Sequence, residues 1–456
     1  MKKVAVIGAG VSGLSTAFYI EEFSKGKVEI KVFEKEEHPG GKMRTAHKNG
    51  FTLETGPNGF LDNKPYTLEL VKKLDIEDKL YKSSDKARKR FLFVNGKLVR
   101  LPESPIAFLA SYVLSIKGKL RLAVEYFVPP KKDNSDESLS SFVKRRIGEE
   151  SLEKLIDPMA AGIFAGDPDR LSVKAAFPAV WQLEKRYGGL IKGLLAMQKE
   201  KKDATAGPGG VLMSFKSGVI DLIDSLIKNI KGKVLTNTSV KKLLKENGKW
   251  KIVYEKGDEI FEETFDCVVL ATPSYVAASL VKNFDHELSE KLNEIEYSPI
   301  AVVAFGFRKK GLDHDLDGFG FLVPRTENRK TLGTLWDSSI FPNRAPEGKT
   351  LIRAMVGGAR QPQLAMAGEE EIARFTYKDI KKIMKTRHKP ELTKVFKHSK
   401  GIPHYTVGHL ERVEEIFKKV ETHQGLYLNS NAYKGVGVND CVYNSLKTAE
   451  AVVKNI

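Results

Sequence analysis

The first 33 residues carry a pattern of apolar and polar positions that predicts a strand, a helix and a second strand. Val4–Ile7 is an unbroken apolar run, residues 14–22 are mostly helix formers, and Val28–Phe33 places apolar residues at a strand-like spacing. Apolar runs of roughly four to eight residues bounded by turn residues are typical of strands. We therefore expect a β-α-β unit in this part of the chain.

The pattern changes twice along the rest of the chain. Residues 88–205 are mostly helical in pattern, up to a break at residues 204–210 that is rich in glycine and small residues. A buried strand is predicted at 265–273, residues 299–360 are strand-rich, and a last helix begins near Asp440. This order predicts a mixed α/β and α+β chain that begins with a Rossmann-like unit.

The charge of the chain is strongly positive. Its 456 residues include 75 basic and 58 acidic ones, which gives a net charge of +17. A solvated lysine surface accounts for most of this excess, and attraction to nucleic acid or anionic lipid is the sharper alternative. Since no zinc-finger spacing or RNA-binding aromatic motif is present, we expect no nucleic-acid partner.

The cysteines and the longest apolar runs limit the location of the protein. Cys267 and Cys441 have no metal-ligand spacing, which indicates a reducing compartment and no metal site. Val4–Ile7 is too short for a signal peptide, and nothing reaches the roughly 18 uncharged residues of a membrane-spanning helix. We expect a cytoplasmic protein.

One segment is a candidate for membrane contact. Ser104–Ile116 is uncharged, and Lys117, Lys119 and Arg121 follow it before a second apolar stretch that ends at Phe127. This pattern suits a helix pair lying in a membrane interface, and it equally suits a buried helical pair in a cap domain. Peripheral contact with the inner face of the cell membrane therefore stays open.

The turn after the first strand has the spacing of a dinucleotide-binding motif. Gly8 permits a tight turn, Gly10 lets the backbone approach a diphosphate, and Gly13 lets helix and strand pack closely. Glu34 ends the second strand 21 residues after Gly13. This is close to the spacing of about 20 at which a carboxylate accepts hydrogen bonds from ribose hydroxyls. We expect the helix N-terminus to face the phosphates.

Three segments indicate FAD as the dinucleotide. Residues 40–44 (GGKMR) resemble the segment by which FAD enzymes extend the diphosphate and flavin cradle. Residues 268–273 resemble the strand that re-enters the FAD domain in the amine-oxidase and desaturase superfamily. Residues 434–440 resemble the closing segment of that superfamily, where backbone amides at a helix N-terminus meet the flavin.

Residues 157–168 (DPMAAGIFAGDP) indicate one family within this superfamily. Together with residues 141–148 and 169–172 they resemble the oxygen-dependent protoporphyrinogen oxidase family. Two departures occur: residues 428–431 (LNSN) stand where an Ala-Gly pair is usual, and Leu410 stands where an aromatic residue is common. Four further segments agree in order along the chain, and these are residues 56–60, 90–93, 318–324 and 402–409.

The resemblance implies a discontinuous Rossmann-like FAD-binding domain, into which a helical cap or membrane domain and a β-rich substrate domain are inserted. Residues 1–87, 206–290 and 409–456 would form the FAD-binding domain, residues 88–205 a helical cap or membrane-binding domain, and residues 291–408 the substrate-binding domain. The cofactor-binding residues that it implies are Gly8, Ala9, Gly10, Val11, Ser12, Gly13, Glu34, Lys35, Gly41, Lys42, Arg44, Gly56, Pro57, Asn58, Gly59, Val240, Ala271, Thr272, Val436, Gly437 and Val438.

The same resemblance implies the substrate-binding residues. Arg90 matches the position that pairs with a propionate, and a guanidinium suits that carboxylate. Phe319 and Leu322 match the positions that sandwich the macrocycle, where stacking and apolar burial favour a flat ring. Met355 and Gly162 match positions beside the flavin.

The implied reaction is the oxidation of protoporphyrinogen IX to protoporphyrin IX in haem biosynthesis, by repeated hydride transfer to FAD. Dioxygen is the expected acceptor, and contact with a ferrochelatase and a homodimer are further expectations. No Ser/His/Asp, Cys/His or paired-carboxylate constellation is present. We therefore expect no acid–base catalyst, since the flavin accepts the hydride, and we expect Asn58 to position the substrate.

Three alternatives remain. Coproporphyrinogen III, with four propionates, is used by close relatives, although residues 332–342 are more similar to the group that uses protoporphyrinogen. The second alternative is another flavin amine oxidase or a carotenoid desaturase, but the sequence around Gly162 does not support it. A non-catalytic lipid- or prenyl-binding chaperone would not need both Gly40-Gly41 and residues 435–439.

Overall fold

Strands and helices alternate over the first 100 residues, helices alone follow up to residue 200, and the alternation then resumes. The structure, a computed structural model, describes residues 1–200, 209–309, 312, 314–386 and 388–456. The strands are β1 (Lys2–Ile7), β2 (Val28–Phe33), β3 (Thr45–Lys48), β4 (Phe51–Glu54), β5 (Phe60–Leu61), β6 (Leu80–Lys82), β7 (Arg90–Val94), β8 (Lys97–Arg100), β9 (Leu212–Phe215), β10 (Lys233–Leu235), β11 (Thr238–Glu246), β12 (Lys249–Lys256), β13 (Glu259–Phe265), β14 (Cys267–Leu270), β15 (Tyr297–Arg308), β16 (Gly320–Leu322), β17 (Thr331–Leu335), β18 (Lys349–Gly357), β19 (Leu392–Pro403) and β20 (Leu426–Leu428).

The helices are concentrated in the middle of the chain. They are α1 (Val11–Ser24), α2 (Tyr66–Lys73), α3 (Pro105–Ala110), α4 (Ile116–Ala123), α5 (Leu139–Ile147), α6 (Glu149–Ser151), α7 (Asp157–Phe164), α8 (Val173–Ala176), α9 (Pro178–Tyr187), α10 (Leu190–Glu200), α11 (Ile220–Asn229), α12 (Ser274–Val281), α13 (His286–Asn293), α14 (Asp337–Ile340), α15 (Pro362–Met366), α16 (Glu369–Met384), α17 (His409–Glu421) and α18 (Val438–Lys454).

A parallel sheet gathers strands from distant parts of the chain, in the order β10-β2-β1-β14-β20. Val4 and Val6 face one hydrophobic core, which includes residues of α1 and α18. Ala5 and Ile7 face a second core, which includes residues of the antiparallel sheet β11-β12-β13. Burial on both faces explains the continuous apolar runs of these strands. The predicted β-α-β unit and Rossmann-like sheet are confirmed.

A second, separate sheet has seven strands in the order β19-β15-β18-β17-β16-β7-β8. The last two strands at one end of this order, β7 and β8, come from residues 90–100, so the prediction of mostly helical structure for residues 88–205 is wrong there. Asn95 and Gly96, with φ angles of 53° and 73°, form the two-residue turn between these strands. An Asn-Gly pair between apolar runs is a strong hairpin signal. The hairpin was therefore readable in the sequence.

Helices α3 to α10 form the inserted part. A π-helical turn at Leu152–Ile156 leads into α7, and buried Asp157 ties α7 to the second sheet through ion pairs with Arg325 (2.9 Å) and Arg360 (2.6 Å). The predicted break at 204–210 lies partly outside the described residues. None of the helices in the described part of the chain is both long enough and apolar enough to cross a membrane.

Candidate functional site

The turn between β1 and α1 contains three glycines that meet three different demands. Gly8 has a φ of 103°, in the left-handed region where a side chain is strained. A Cβ on Gly13 would collide with the carbonyl oxygen of Gly8, so glycine is needed for the close approach of helix and turn. A Cβ on Gly10 would meet no protein atom within 4 Å. The space beside Gly10 is therefore open to a group from outside the chain, such as a diphosphate.

A second glycine pair borders this space. Gly40 donates its N–H to the carbonyl oxygen of Ala9 at 2.8 Å, and Gly41 has a φ of 58°. A Cβ on Gly41 would lie 3.5 Å from the Cα of Gly10. The two glycine segments that the sequence singled out are thus neighbours in space.

Two basic residues follow the glycine pair. The Lys42 side chain is buried, lies 5.3 Å from the centre of the Tyr297 ring and donates to the carbonyl oxygen of Gly401. Burial lowers the pKa of Lys42 to about 8. Arg44 donates to the carbonyl oxygen of His38, while its buried Nε has no hydrogen-bond partner. An unpaired guanidinium N–H suits a phosphate oxygen.

Glu34 lies where the sequence predicts it, at the end of β2. Its carboxylate oxygens accept backbone N–H groups from Ala9 at 2.9 Å and from Glu36 at 3.0 Å. Each oxygen keeps a second lone pair, so ribose hydroxyls could still donate to it. Lys35 is exposed and paired with Glu36, and Val240 is half-buried on β11.

The end of the chain completes the cradle. Gly437 is the N-cap of α18, which begins at Val438. Val436, the residue before it, is half-buried against the hydrophobic core that includes residues of helices α5 and α7. Ser445, in the third turn of α18, donates to the carbonyl oxygen of Ser12 at 2.9 Å, so α18 packs against the first turn of α1. The N-terminal ends of both helices, where Val11 begins α1, supply free N–H groups and positive potential.

Ala271 and Thr272 follow β14 at the same end of the parallel sheet. Ala271 donates its N–H to the carbonyl oxygen of Ile7 at 2.9 Å, and Thr272 Oγ1 is buried without a hydrogen-bond partner. Residues 428–431 depart from the family pattern, and the structure gives Asn429 of this segment a role. Asn429 Nδ2 donates to Thr16 Oγ1 at 2.8 Å and to Ser445 Oγ at 2.9 Å, so this residue ties α1 to α18.

Residues 56–59 connect the cofactor cradle to the second sheet. A Cβ on Gly56 would collide with the carbonyl oxygen of Lys42, and Gly59 has a φ of 158°. Pro57 and Asn58 lie between them and are half-buried. Asn58 Nδ2 donates to Asp337 Oδ1 at 3.4 Å.

The register of the second sheet brings the predicted substrate residues onto one face. Leu322 pairs with Gly333, and Gly333 pairs with Met355, in one row across three strands. Gly320, in the next row of the same face, pairs with Arg90 of β7. Side chains of paired residues point to the same side of a sheet. Arg90 and Met355 therefore share a face although they lie far apart in sequence.

Gly162 and Phe319 border the same face. A Cβ on Gly162 of α7 would come within 2.8 Å of Leu322 Cδ2. The Arg90 guanidinium carbon lies 5.7 Å from the centre of the Phe319 ring. Arg90 is exposed and forms no ion pair with any described residue. A free guanidinium above an aromatic ring, next to apolar side chains, suits a flat apolar ligand that carries a carboxylate.

A buried cluster of four charges was not predicted, and it lies on the same side of the sheet, since Arg353 is two residues before Met355 on β18. Arg353 pairs with Asp337, and Arg344 Nη2 pairs with Glu54 Oε1 at 3.1 Å. Burial raises the pKa of Glu54 and lowers that of Arg344. The only sequence signal was Arg353 itself, a charge within the apolar strand pattern of β18.

The similarity of the chain to known proteins agrees with this geometry. The family model described as flavin containing amine oxidoreductase matches residues 11–453. The chain belongs to this family. The oxidoreductase is 30% identical to the coproporphyrinogen III oxidase of Bacillus subtilis (strain 168), over 97% of this chain and 96% of the relative. It is 31% identical to the chloroplastic protoporphyrinogen oxidase 1 of Arabidopsis thaliana, over 97% of this chain and 86% of the relative.

A solved structure agrees with both relatives. The crystal structure of a candidate protoporphyrinogen oxidase from Exiguobacterium sp. 255-15 superposes with a TM-score of 0.87 at 25% identity, covering 100% of this chain and 99% of that one. Reduced UDP-galactopyranose mutase reaches a TM-score of 0.77 at 14% identity, which shows the shared fold alone.

The family identifies the chain as a flavin oxidoreductase with FAD as cofactor, and the residues fit that cofactor. Open space beside Gly10, unpaired buried groups on Arg44 and Thr272, and the N-terminus of α1 provide a phosphate site. The individual contacts of the predicted residues with FAD stay predictions. Among the described residues no group of three or more metal-binding side chains occurs.

Proposed function

We propose that this oxidoreductase converts a porphyrinogen to the corresponding porphyrin in haem biosynthesis, with protoporphyrinogen IX as the preferred substrate. One observation carries the proposal. A chain similar over nearly its whole length to both kinds of porphyrinogen oxidase presents Arg90, Phe319, Leu322 and Met355 on one sheet face, opposite Gly162.

The chemistry of these residues matches a reduced macrocycle. Phe319 and Leu322 offer an aromatic and an aliphatic surface to a large apolar disc. The Arg90 guanidinium is free to hold a propionate by paired charge-assisted hydrogen bonds at the rim. Such a contact fixes the orientation of the disc without touching the carbon atom that is oxidised.

When bound, FAD supplies the two-electron acceptor for each oxidation step. Conversion of a porphyrinogen to a porphyrin needs three such steps, and we propose dioxygen as the final acceptor, which gives one hydrogen peroxide per step. The chain orients the ring and shields it from water. No acid–base side chain is assigned, since Asn58 is a neutral amide and a poor base.

Coproporphyrinogen III is the second candidate, and the basic residues near the site favour it. Lys86 and Arg88 are exposed next to Arg90 and would suit additional propionates. Residues 332–342, which favoured protoporphyrinogen in the sequence, include the buried Trp336, so much of this segment serves as framework.

Porphyrin fluorescence produced from the two substrates separates these candidates. Purified FAD-loaded protein should oxidise protoporphyrinogen IX in air with a higher kcat/KM than coproporphyrinogen III. The reverse order would make coproporphyrinogen III the substrate. If the protein oxidises neither porphyrinogen but does oxidise a simple amine such as putrescine, its function is that of another branch of the family.

We also propose that the enzyme binds peripherally to an anionic membrane surface. Exposed apolar side chains cluster on the segment from Tyr112 to Phe127, where Tyr112, Ile116 and Phe127 are 86%, 79% and 78% exposed. The exposure of these three side chains favours membrane contact over a buried helical pair. The neighbouring Lys117 and Lys132 are exposed and would face lipid phosphates.

A further inference from the structure

Asn58 lies against a buried carboxylate that holds one end of its amide. Its Nδ2 donates to Asp337 Oδ1 at 3.4 Å, whereas its Oδ1 is buried and has no hydrogen-bond partner. Leaving a buried acceptor without a hydrogen-bond donor costs free energy, so such an atom usually accepts a hydrogen bond from a water or a ligand. Only one end of the Asn58 amide, the Nδ2 end, therefore has a hydrogen-bond partner.

Arg353 holds the Asp337 carboxylate in position. The two side chains are each about 1% exposed and form an ion pair, in which Arg353 Nη2 donates to Asp337 Oδ1 at 3.2 Å. Arg353 Nη1 also donates to the carbonyl oxygens of Glu54 (2.6 Å) and Gly56 (3.2 Å). The same guanidinium therefore fixes the carboxylate beside Asn58 and the backbone just before it.

The charge of Asp337 decides which way the amide points. An ionised carboxylate can only accept hydrogen bonds, so the NH2 group of Asn58 must face Asp337. The carbonyl oxygen of the amide then points away from Asp337. A residue at position 337 that can also donate would allow the amide to turn over.

We propose that Asp337 is a positioning residue that presents the carbonyl oxygen of Asn58 as the acceptor for a pyrrole N–H of the substrate. The inference rests on the proposed function, because a porphyrinogen carries four pyrrole N–H donors at its centre. Phe319, Leu322 and Met355, the apolar residues of the same site, offer no oxygen or nitrogen acceptor. Asn58 would therefore hold the centre of the ring while Arg90 holds its rim.

The test is a double-mutant cycle on the FAD-loaded enzyme, with Asp337→Asn, Asn58→Ala and the double variant. Each single variant should raise the KM for protoporphyrinogen IX about fivefold, as expected for one lost hydrogen bond, with kcat changed less than twofold. The double variant should be no worse than Asn58→Ala alone, because Asp337 acts only through Asn58. Asp337→Glu replaces Asp337→Asn if the latter does not fold, and the same non-additivity is expected.

Glu184→Gln serves as the matched control. Glu184 is also buried and pairs with Arg145 at 2.6 Å, but it lies in the cap, away from Asn58. This variant should lower the melting temperature without raising KM, and every variant should keep the visible flavin spectrum. KM increases that multiply in the double variant, or an equal increase in Glu184→Gln, would overturn the inference and leave the proposed function intact. A wild-type enzyme that oxidises neither porphyrinogen would overturn both.

Discussion

At the scale of single residues, the account depends on a few side chains with unusual surroundings. Arg90 is an exposed cation without an ion-pair partner among the described residues, Gly10 faces open space, and Gly162 leaves room for Leu322. A bound ligand would explain the unpaired cation and the open space, whereas Gly162 is needed for close packing against Leu322.

Replacing Arg90 with alanine should weaken substrate binding more than it slows turnover. The guanidinium holds a carboxylate at the rim, so KM should rise about ten- to hundredfold, with kcat changed less than about threefold. Steady-state kinetics by porphyrin fluorescence measure both constants. Arg308→Ala is the matched control, since Arg308 is exposed at the end of β15, is paired with Glu391 and has no assigned role in substrate binding. A loss confined to kcat would contradict the assigned role of Arg90.

Replacing Gly162 with alanine should lower kcat/KM about tenfold, because the new methyl group would lie 2.8 Å from Leu322 Cδ2 and push that side chain into the substrate space. Shortening the neighbour in a Gly162→Ala/Leu322→Val double variant should restore part of the loss. Gly368→Ala is the control, since a Cβ there meets nothing within 4 Å. Equal losses in both single variants would show that the contact with Leu322 is irrelevant.

His409 should make the protein less stable in acid. Burial lowers its pKa to about 4 from an ordinary value of 6.5, so the unfolded chain binds the proton more tightly. Stability is then complete above about pH 6.5 and is lost as the pH falls towards 4, by about 2 kcal/mol at pH 5. Denaturant unfolding at pH 7 and pH 5 measures the difference, which should shrink in His409→Gln and stay unchanged in a variant of the exposed His286. A His409 variant with undiminished acid sensitivity would refute this assignment.

At the scale of elements, the edge of the second sheet and the cap helices meet at the substrate face. The hairpin β7-β8 brings Arg90 into the sheet, and α7 brings Gly162 against it. The cap also carries the exposed apolar segment from Tyr112 to Phe127. The proposed substrate face and the proposed membrane surface thus lie on neighbouring elements.

Replacing Ile116, Leu120 and Phe127 with glutamate should abolish binding to anionic vesicles. The three side chains would lose their apolar burial and add negative charge, so the partition coefficient should fall at least tenfold. Co-sedimentation with vesicles that contain phosphatidylglycerol measures it, and high salt should weaken binding of the wild type. Ile260→Glu, an exposed apolar position on β13, is the control. Equal binding by the triple variant and the wild type would contradict this surface.

At the scale of the whole molecule, the sequence predicted the Rossmann-like sheet and the two glycine segments, because local motifs of strand, turn and helix carry that information, whereas the discontinuous order of the FAD domain was predicted from the family resemblance. The strand character of residues 90–100 was missed although Asn95-Gly96 signalled it. The buried partnership of Asp337 with Arg353 could not be read, since charged residues are expected at the surface and only the tertiary fold brings these two together.

The central claim is that electrons pass from a porphyrinogen to FAD bound by this chain. It is tested most directly by mixing the FAD-loaded protein with protoporphyrinogen IX in the absence of oxygen and recording absorbance and fluorescence. The account predicts bleaching of the flavin absorbance with matching formation of porphyrin, and return of the flavin absorbance when air is admitted. A flavin that stays oxidised with both protoporphyrinogen IX and coproporphyrinogen III would contradict it.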